Sequence, residues 1–256
     1  MVTVGDIYNY IDTFAPFHTA MGFDNVGLLV GEKHCPVTSV IVSMDITPEV
    51  ISEAVSQNAE LIISHHPVIF QPLKRLSPTD VPYLLVQNDL CAIAAHTNYD
   101  LACGGVNACL AERLQLKQIS MLEEYEHSGL AVSLIGQLEA EMRPSEFAAY
   151  VKTQLECAGL KFTVGKTAVK KVAVACGAGS SSIFAAGAAG ADAFVSGDSK
   201  HHELLAASSM GITMVDAGHF ATEDVAIQPL CNRLAKEFPQ VRFIKSQQKD
   251  PVQYLV

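Results

Sequence analysis

Charge is scarce in this chain. Of its 256 residues, 17% are Asp, Glu, Lys or Arg and 49% are hydrophobic. That balance supports a large core, argues against extensive disorder, and suggests apolar surface hidden between subunits. Positive charge is scarcer still: 17 Lys and Arg stand against 27 Asp and Glu, a formal net charge of -10. A broad basic face for nucleic acid is therefore disfavoured, although a local patch stays open. No apolar stretch reaches transmembrane length without a break. Met1–Tyr10 lacks a basic segment followed by an apolar core, so no secretory signal is expected and a cytoplasmic protein is. The seven cysteines are scattered, with no C-x-x-C pair. An odd, unpaired set fits small buried hydrophobes in a reducing compartment better than a disulfide framework. There is no G-x-S-x-G elbow and no cysteine in a nucleophile context, which disfavours a serine or cysteine hydrolase. The Gly177–Ser182 run lacks the lysine of a Walker loop and is not a full dinucleotide fingerprint. A tight β-α turn explains it at least as well as a phosphate cradle.

What is present is an alternation of short apolar runs and helical patterns. A helix is predicted over Val4–Phe14, then a turn and strand over Phe23–Gly31 and a strand over Val37–Asp45. Thr47-Pro48-Glu49 supplies a cap residue, a first-turn proline and an acid, opening a helix to about Gln57. Strands follow at Glu60–Ser64 and Leu90–Ala95, with helices at Asp80–Asn88 and Gly105–Leu114. Leu130–Leu138 is a strand of different character, and Pro144–Ala158 an amphipathic helix. The pattern then restarts: strands at Lys171–Cys176, Ala191–Val195 and Ile212–Val215, a helix at His201–Met210, a long helix at Ala221–Phe238 and a final strand at Val241–Ile244. This is the plan of α/β architecture with mostly parallel sheets. The two halves share it weakly, so two similar α/β lobes are expected, 1–128 and 129–256, with the C-terminal helix or strand open to assignment to the first. Ligands in such sheets bind outside the carboxyl ends of strands, so the strand ends of both lobes are expected to converge on one cleft.

The chemistry sits at those strand ends. His65-His66 closes the run Leu61-Ile62-Ile63-Ser64 and is stopped by Pro67. Adjacent imidazoles at the end of a buried strand are costly to bury unless something binds them. His96 and Asp100 follow a second apolar run, and His219 and Glu223 a third, both pairs four residues apart. That spacing puts both side chains on one side of a helical turn. A lone histidine of this kind is more often a hydrogen-bonded core residue. Three clusters, one of paired imidazoles and two of imidazole with carboxylate, are the donor set of a metal centre, here of two metals, with Asp100 or Glu223 bridging. Two divalent ions per chain are expected; zinc, iron, manganese and nickel all accept these donors. Asp45, ending a strand, is either a turn residue or the acceptor that orients a ligand histidine. Asp198 reads as a helix cap. His201 and His202, at the start of a predicted helix, are surface residues or the site's acid and base.

The segments Asp24-Asn25-Val26-Gly27-Leu28-Leu29-Val30-Gly31, Ser64-His65-His66-Pro67-Val68-Ile69-Phe70, Ala95–Asp100, Ser196-Gly197-Asp198 with His201-His202, and Gly218–Glu223 occur in one order over most of the chain. Together they resemble the Nif-three-like dinuclear-metal proteins, the GTP cyclohydrolase I type 2 homologues. The resemblance implies a hexameric toroid with metal pairs facing its interior, and metal ligands at His65, His66, His96, Asp100, His219 and Glu223. Longer members carry an inserted middle domain; about thirty residues separate Gln115 from Ser145 here, so the chain resembles the short form. Phe23 stands where tryptophan is common and Tyr99 where leucine is, and neither offers a donor. Two functions are expected from this. One is a metal-dependent hydrolase, in which a metal pair yields hydroxide at neutral pH for attack on a nucleotide such as GTP, with His201 or His202 moving protons. The other is a ring-shaped metal-binding scaffold for a protein or nucleic-acid partner, without turnover. Self-association, a small nucleotide ligand and no membrane contact are the expected interactions.

Overall fold

The computed structural model describes residues 1–255. In chain order its elements are α1 (Val4–Phe14), β1 (Gly27–Val30), β2 (Ser39–Ser43), α2 (Pro48–Ser56), β3 (Leu61–Ser64), α3 (Val81–Gln87), β4 (Cys91–Ala94), α4 (Thr97–Leu101), α5 (Val106–Arg113) and β5 (Lys117–Glu124). They continue with β6 (Ala131–Met142), α6 (Pro144–Gln154), β7 (Lys161–Phe162), β8 (Val169–Val174), α7 (Ile183–Ala188), β9 (Ala193–Ser196), α8 (His201–Met210), β10 (Thr213–Asp216), α9 (His219–Asp224), α10 (Ile227–Glu237) and β11 (Arg242–Lys245). Among the described residues no helix is long and apolar enough to cross a membrane.

The chain forms two compact units. The first holds Met1–Ala102 and takes back Ile227–Lys249; the second holds Cys103–Ala226 and the segment from Asp250 onward. The sequence places the lobe boundary at about 128/129 and predicts no strand between Leu114 and Leu130. In fact β5 lies there, exposed over most of its length, and pairs antiparallel with β6. An edge strand with little burial carries no alternating apolar signal.

The first unit has one five-stranded sheet in the order β1-β4-β3-β2-β11. β11, β2, β3 and β4 run parallel, and β1 is antiparallel to β4. Every residue of β2, β3 and β4 is buried, as expected where helices cover both faces of a parallel sheet. Ile41, Ile62 and Ala92 pack with Val50, Ile51 and Ala54 of α2 and Leu85 of α3 in one core cluster. α2 begins where the sequence placed it: the Thr47 side chain accepts from the Val50 amide, with Pro48 in the first turn.

The second unit has a six-stranded sheet in the order β5-β6-β8-β9-β10-β7. Its centre, β8-β9-β10, is parallel; β6, β5 and β7 add antiparallel strands at the two sides. The distinct character of the β6 sequence is thus explained by its long antiparallel hairpin. Phe194, Ala173, Met214 and Ile212 meet Ile183, Ala186 and Ala207 in this unit's core.

The predicted long helix over Ala221–Phe238 is two helices, α9 and α10. Pro229 is the reason. In a continuous helix it would leave the Val225 carbonyl without its amide donor and clash with it, so the chain breaks at Val225-Ala226. The break is also the boundary between units.

Candidate metal centre

Strand register builds the site in the first unit. Ser43, Ser64 and Ala94 are aligned across β2, β3 and β4. Asp45, His66 and His96 each lie two residues beyond their aligned strand end. β1 pairs Gly27 with Ala94, which brings the Asp24-Asn25 approach to that same edge. His65, His66 and His96 each offer a ring nitrogen, and the three atoms lie within 4.8 Å of one another. Ring centroids are 4.9 Å apart for His65–His66, 5.1 Å for His65–His96 and 5.3 Å for His66–His96. Asp100, on α4, brings its Oδ1 to 3.5 Å from His65 Nε2. All four first-unit residues that the sequence proposed as donors are therefore together.

Each imidazole is held by its Nδ1. His65 Nδ1 is 2.9 Å from the Ala95 carbonyl oxygen, His66 Nδ1 2.8 Å from Asp45 Oδ1, and His96 Nδ1 2.9 Å from Asp24 Oδ1. An oxygen acceptor at Nδ1 places the proton there and leaves Nε2 with its lone pair for a metal. Asp24 is the firmest of these supports. Its side chain is fully buried, and Oδ2 also accepts from the Thr97 amide at 3.0 Å and hydroxyl at 2.6 Å. Burial alone would raise its pKa; the hydrogen bonds from His96 and Thr97 outweigh that and hold it at about 2. Asp45 follows the same logic, burial opposed by His66 and Gln248, and lies below the usual carboxylate range.

The second unit holds the remaining candidate donors, His219 and Glu223, on α9. His219 Nε2 is 3.1 Å from Glu223 Oε2, and His219 Nδ1 is 2.7 Å from Asp198 Oδ2. The register repeats: Ser196 and Asp216 are aligned across β9 and β10, and Asp198 lies two residues beyond Ser196. Glu223 is buried. The hydrogen bond that the ring donates to the Glu223 carboxylate raises the His219 pKa most; burial opposes it, Asp198 adds to it, and the ring is pushed up to about 9. Gly177 makes this closeness possible. Its φ is +52°, and a Cβ there would lie 2.0 Å from Glu223 Oε1 and 3.1 Å from His219 Nε2.

Some sequence readings change. Asp198 is not a helix cap: it holds His219, and Glu203 takes the capping role by accepting from the Lys200 amide at 2.8 Å. The Gly177–Ser182 loop is a turn. The Gly177 amide donates to Thr222 Oγ1 and the Gly179 amide to the Cys176 carbonyl, so neither is turned to a phosphate. His201 and His202 lie exposed on the first turn of α8. Asp24, which the sequence places in a turn and at the head of a segment shared with the family, is the His96 acceptor, a role the sequence does not assign it.

The donor set suits a borderline divalent ion. Imidazole Nε2 atoms with Nδ1 fixed by oxygen acceptors, and carboxylates beside them, are what zinc, iron, manganese and nickel accept.

A family model described as Duf34/NIF3 (NGG1p interacting factor 3) matches residues 2–251. A Clostridium perfringens protein named GTP cyclohydrolase 1 type 2 homolog is 32% identical, covering 98% of this chain and 99% of its own length. The alignment with a Staphylococcus epidermidis protein of the same name runs over 326 positions, longer than this whole chain, so that relative contains an insertion absent here. Among solved structures, a Staphylococcus aureus hypothetical protein superposes with a TM-score of 0.91 at 30% identity, covering 99% of both chains. A Bacillus cereus protein related to NIF3 does so with a TM-score of 0.92 at 27% identity over 99% of both chains. The chain belongs to the Duf34/NIF3 family.

Proposed function

We propose that the protein is a metal-dependent hydrolase acting on C–N bonds of a nucleotide, in the manner of a GTP cyclohydrolase, with two divalent ions per chain held by His65, His66, His96, Asp100, His219 and Glu223. The observation that carries this reading is the uniform support of the imidazoles: all four proposed ligand rings have Nδ1 against an oxygen acceptor. Core histidines that serve packing alone have no reason to share that orientation. The relatives' name, GTP cyclohydrolase 1 type 2 homolog, supports a guanine nucleotide as the first substrate to try. When bound, a divalent ion supplies Lewis acidity and acidifies a water molecule.

The chain's own residues do the rest. Asp45 and Asp24 fix the His66 and His96 rings through Nδ1, and Asp198 does the same for His219. Asp100 and Glu223 add negative charge that favours a cation. His201 and His202, exposed and outside the donor set, are the proposed proton carriers. An unligated imidazole can take up and release protons, which a coordinated ring cannot.

The test is metal analysis after saturation, followed by a turnover screen on nucleotides. About two ions per chain and release of formate from GTP are expected. His201→Ala or His202→Ala should retain metal and lose turnover by roughly 10²–10⁴-fold. One ion or fewer per chain overturns the two-ion assignment. No turnover of any nucleotide by the metal-loaded chain overturns the hydrolase reading in favour of the scaffold.

A further inference from the structure

Two large aromatic side chains stand in solvent beside the histidine cluster of the first unit. Phe23 is 62% exposed and Phe70 is 44% exposed. Their ring centroids are 6.2 Å apart with planes tilted by 53°. Many apolar side chains of this chain are exposed, but these two rings are neighbours, and exposed apolar side chains that adjoin one another, unlike ones scattered singly, mark a contact surface.

Their placement ties them to the site. Phe23, Asp24 and Asn25 are consecutive, and each has a separate task. Asp24 holds His96. The Asn25 side-chain amide donates to the Ile69 carbonyl at 2.5 Å, clamping the segment that carries Phe70. Phe70 is four residues beyond His66, so its Cα lies at most about 14 Å from that of His66. The two rings are therefore fixed to the same two segments that position His66 and His96. The loop beyond Phe70 carries Lys74 and Arg75, both exposed, in a chain of net charge -10. A ligand with a flat ring and an anionic tail fits that combination: the π-faces take the ring and the cations the tail.

We propose that Phe23 and Phe70 form a ring-stacking pair that selects substrates bearing a planar heteroaromatic base, next to the His65-His66-His96 cluster. This deepens the nucleotide reading above and rests on it for the choice of probe. The pair acts by binding the base; it donates nothing to a metal.

The chain contains no tryptophan, so Phe23→Trp places a single indole reporter at the pair. The full-length, metal-loaded variant is titrated with GTP and, separately, with inorganic tripolyphosphate, with calorimetry in parallel. GTP should quench the indole and tripolyphosphate should not. Phe70→Ala in the same background should raise the GTP Kd roughly five- to 150-fold and leave the tripolyphosphate Kd unchanged, whereas Phe70→Tyr should retain GTP affinity. The proposal is overturned by absence of quenching with GTP, by equal quenching with tripolyphosphate, or by an unchanged GTP Kd in Phe70→Ala. It is equally overturned if Phe70→Ala changes the molar mass in light scattering, since the pair would then be a contact between copies of the chain. Turnover is scored separately on the wild type. GTP turnover with an unchanged Phe70→Ala Kd removes the stacking pair and leaves the hydrolase. Stacking without turnover does the reverse.

Discussion

At the scale of the residue, the supports of the histidines govern the site as much as the donors do. Asp45 is the simplest to test, because its side chain is partly exposed and its removal leaves little void. Asp45→Ala frees the His66 ring to rotate and to place its proton on either nitrogen. Metal affinity should fall about 10–100-fold with the fold retained, measured by competition with a chromophoric chelator. His219 gives a pH prediction. Its folded-state pKa of about 9 lies above the ordinary 6.5, so in the metal-free chain its stabilising contribution is complete below pH 6.5 and is lost as pH rises through about 9. Thermal denaturation of chelator-treated protein should show stability falling across that window, with a smaller fall in Glu223→Gln, which removes the main cause of the shift. A metal needs the neutral ring, so uptake below pH 9 should release a proton, visible in calorimetry as a dependence on the buffer's ionisation heat.

At the scale of the element, tight joins between strands and turns carry the constraint. Gly177 follows β8 and faces α9. Gly177→Ala must seat a methyl group against Glu223 and hold a left-handed φ, at a cost of about 1–2 kcal/mol for the backbone alone. The expected result is lower stability in denaturant titration together with metal loss at His219 and Glu223, while His65, His66 and His96 keep their arrangement. In the first unit Glu60 joins β2 to β3. Its carboxylate accepts from the Thr38 and Ser39 amides, both at 3.0 Å, and from the Thr38 hydroxyl at 2.8 Å. Burial would raise its pKa, but these bonds prevail and the carboxyl lies below its ordinary 4.5. Its contribution is therefore present above pH 4.5 and lost as the solution is acidified below that. Glu60→Gln should cost roughly 1–2 kcal/mol at pH 7 and flatten the acid limb of the stability profile. A profile unchanged by the substitution would show that the Thr38 and Ser39 amides find water as good a partner.

At the scale of the molecule, we propose self-association, on the sparse charge of the chain. Light scattering at micromolar concentration should give a symmetric oligomer, with six copies the expected number; a mass of 27.4 kDa would refute it. The plan of the molecule was already visible in the order of apolar runs, because buried parallel strands are short, continuous and bounded by turn residues. β2, β3, β4, β8, β9 and β10 all leave that trace. So do the donors, because imidazole and carboxylate at successive strand ends are written in the chain as His65-His66, His96-x-x-x-Asp100 and His219-x-x-x-Glu223. The single-turn spacing in the last two is local and needs no tertiary information. What the tertiary structure alone decided is nonlocal. β5 and β7 have too little burial to show a period, so only their partners reveal them. β11 joins β2 across some two hundred residues, and no local signal says which sheet a terminal strand will enter. The acceptors Asp24 and Asp198 looked like turn and cap residues, because an aspartate's partner is fixed by register and chain packing rather than by its neighbours in sequence. Donor chemistry is a property of residue types and their spacing; the proton position on each ring is set by what the fold places against its other nitrogen.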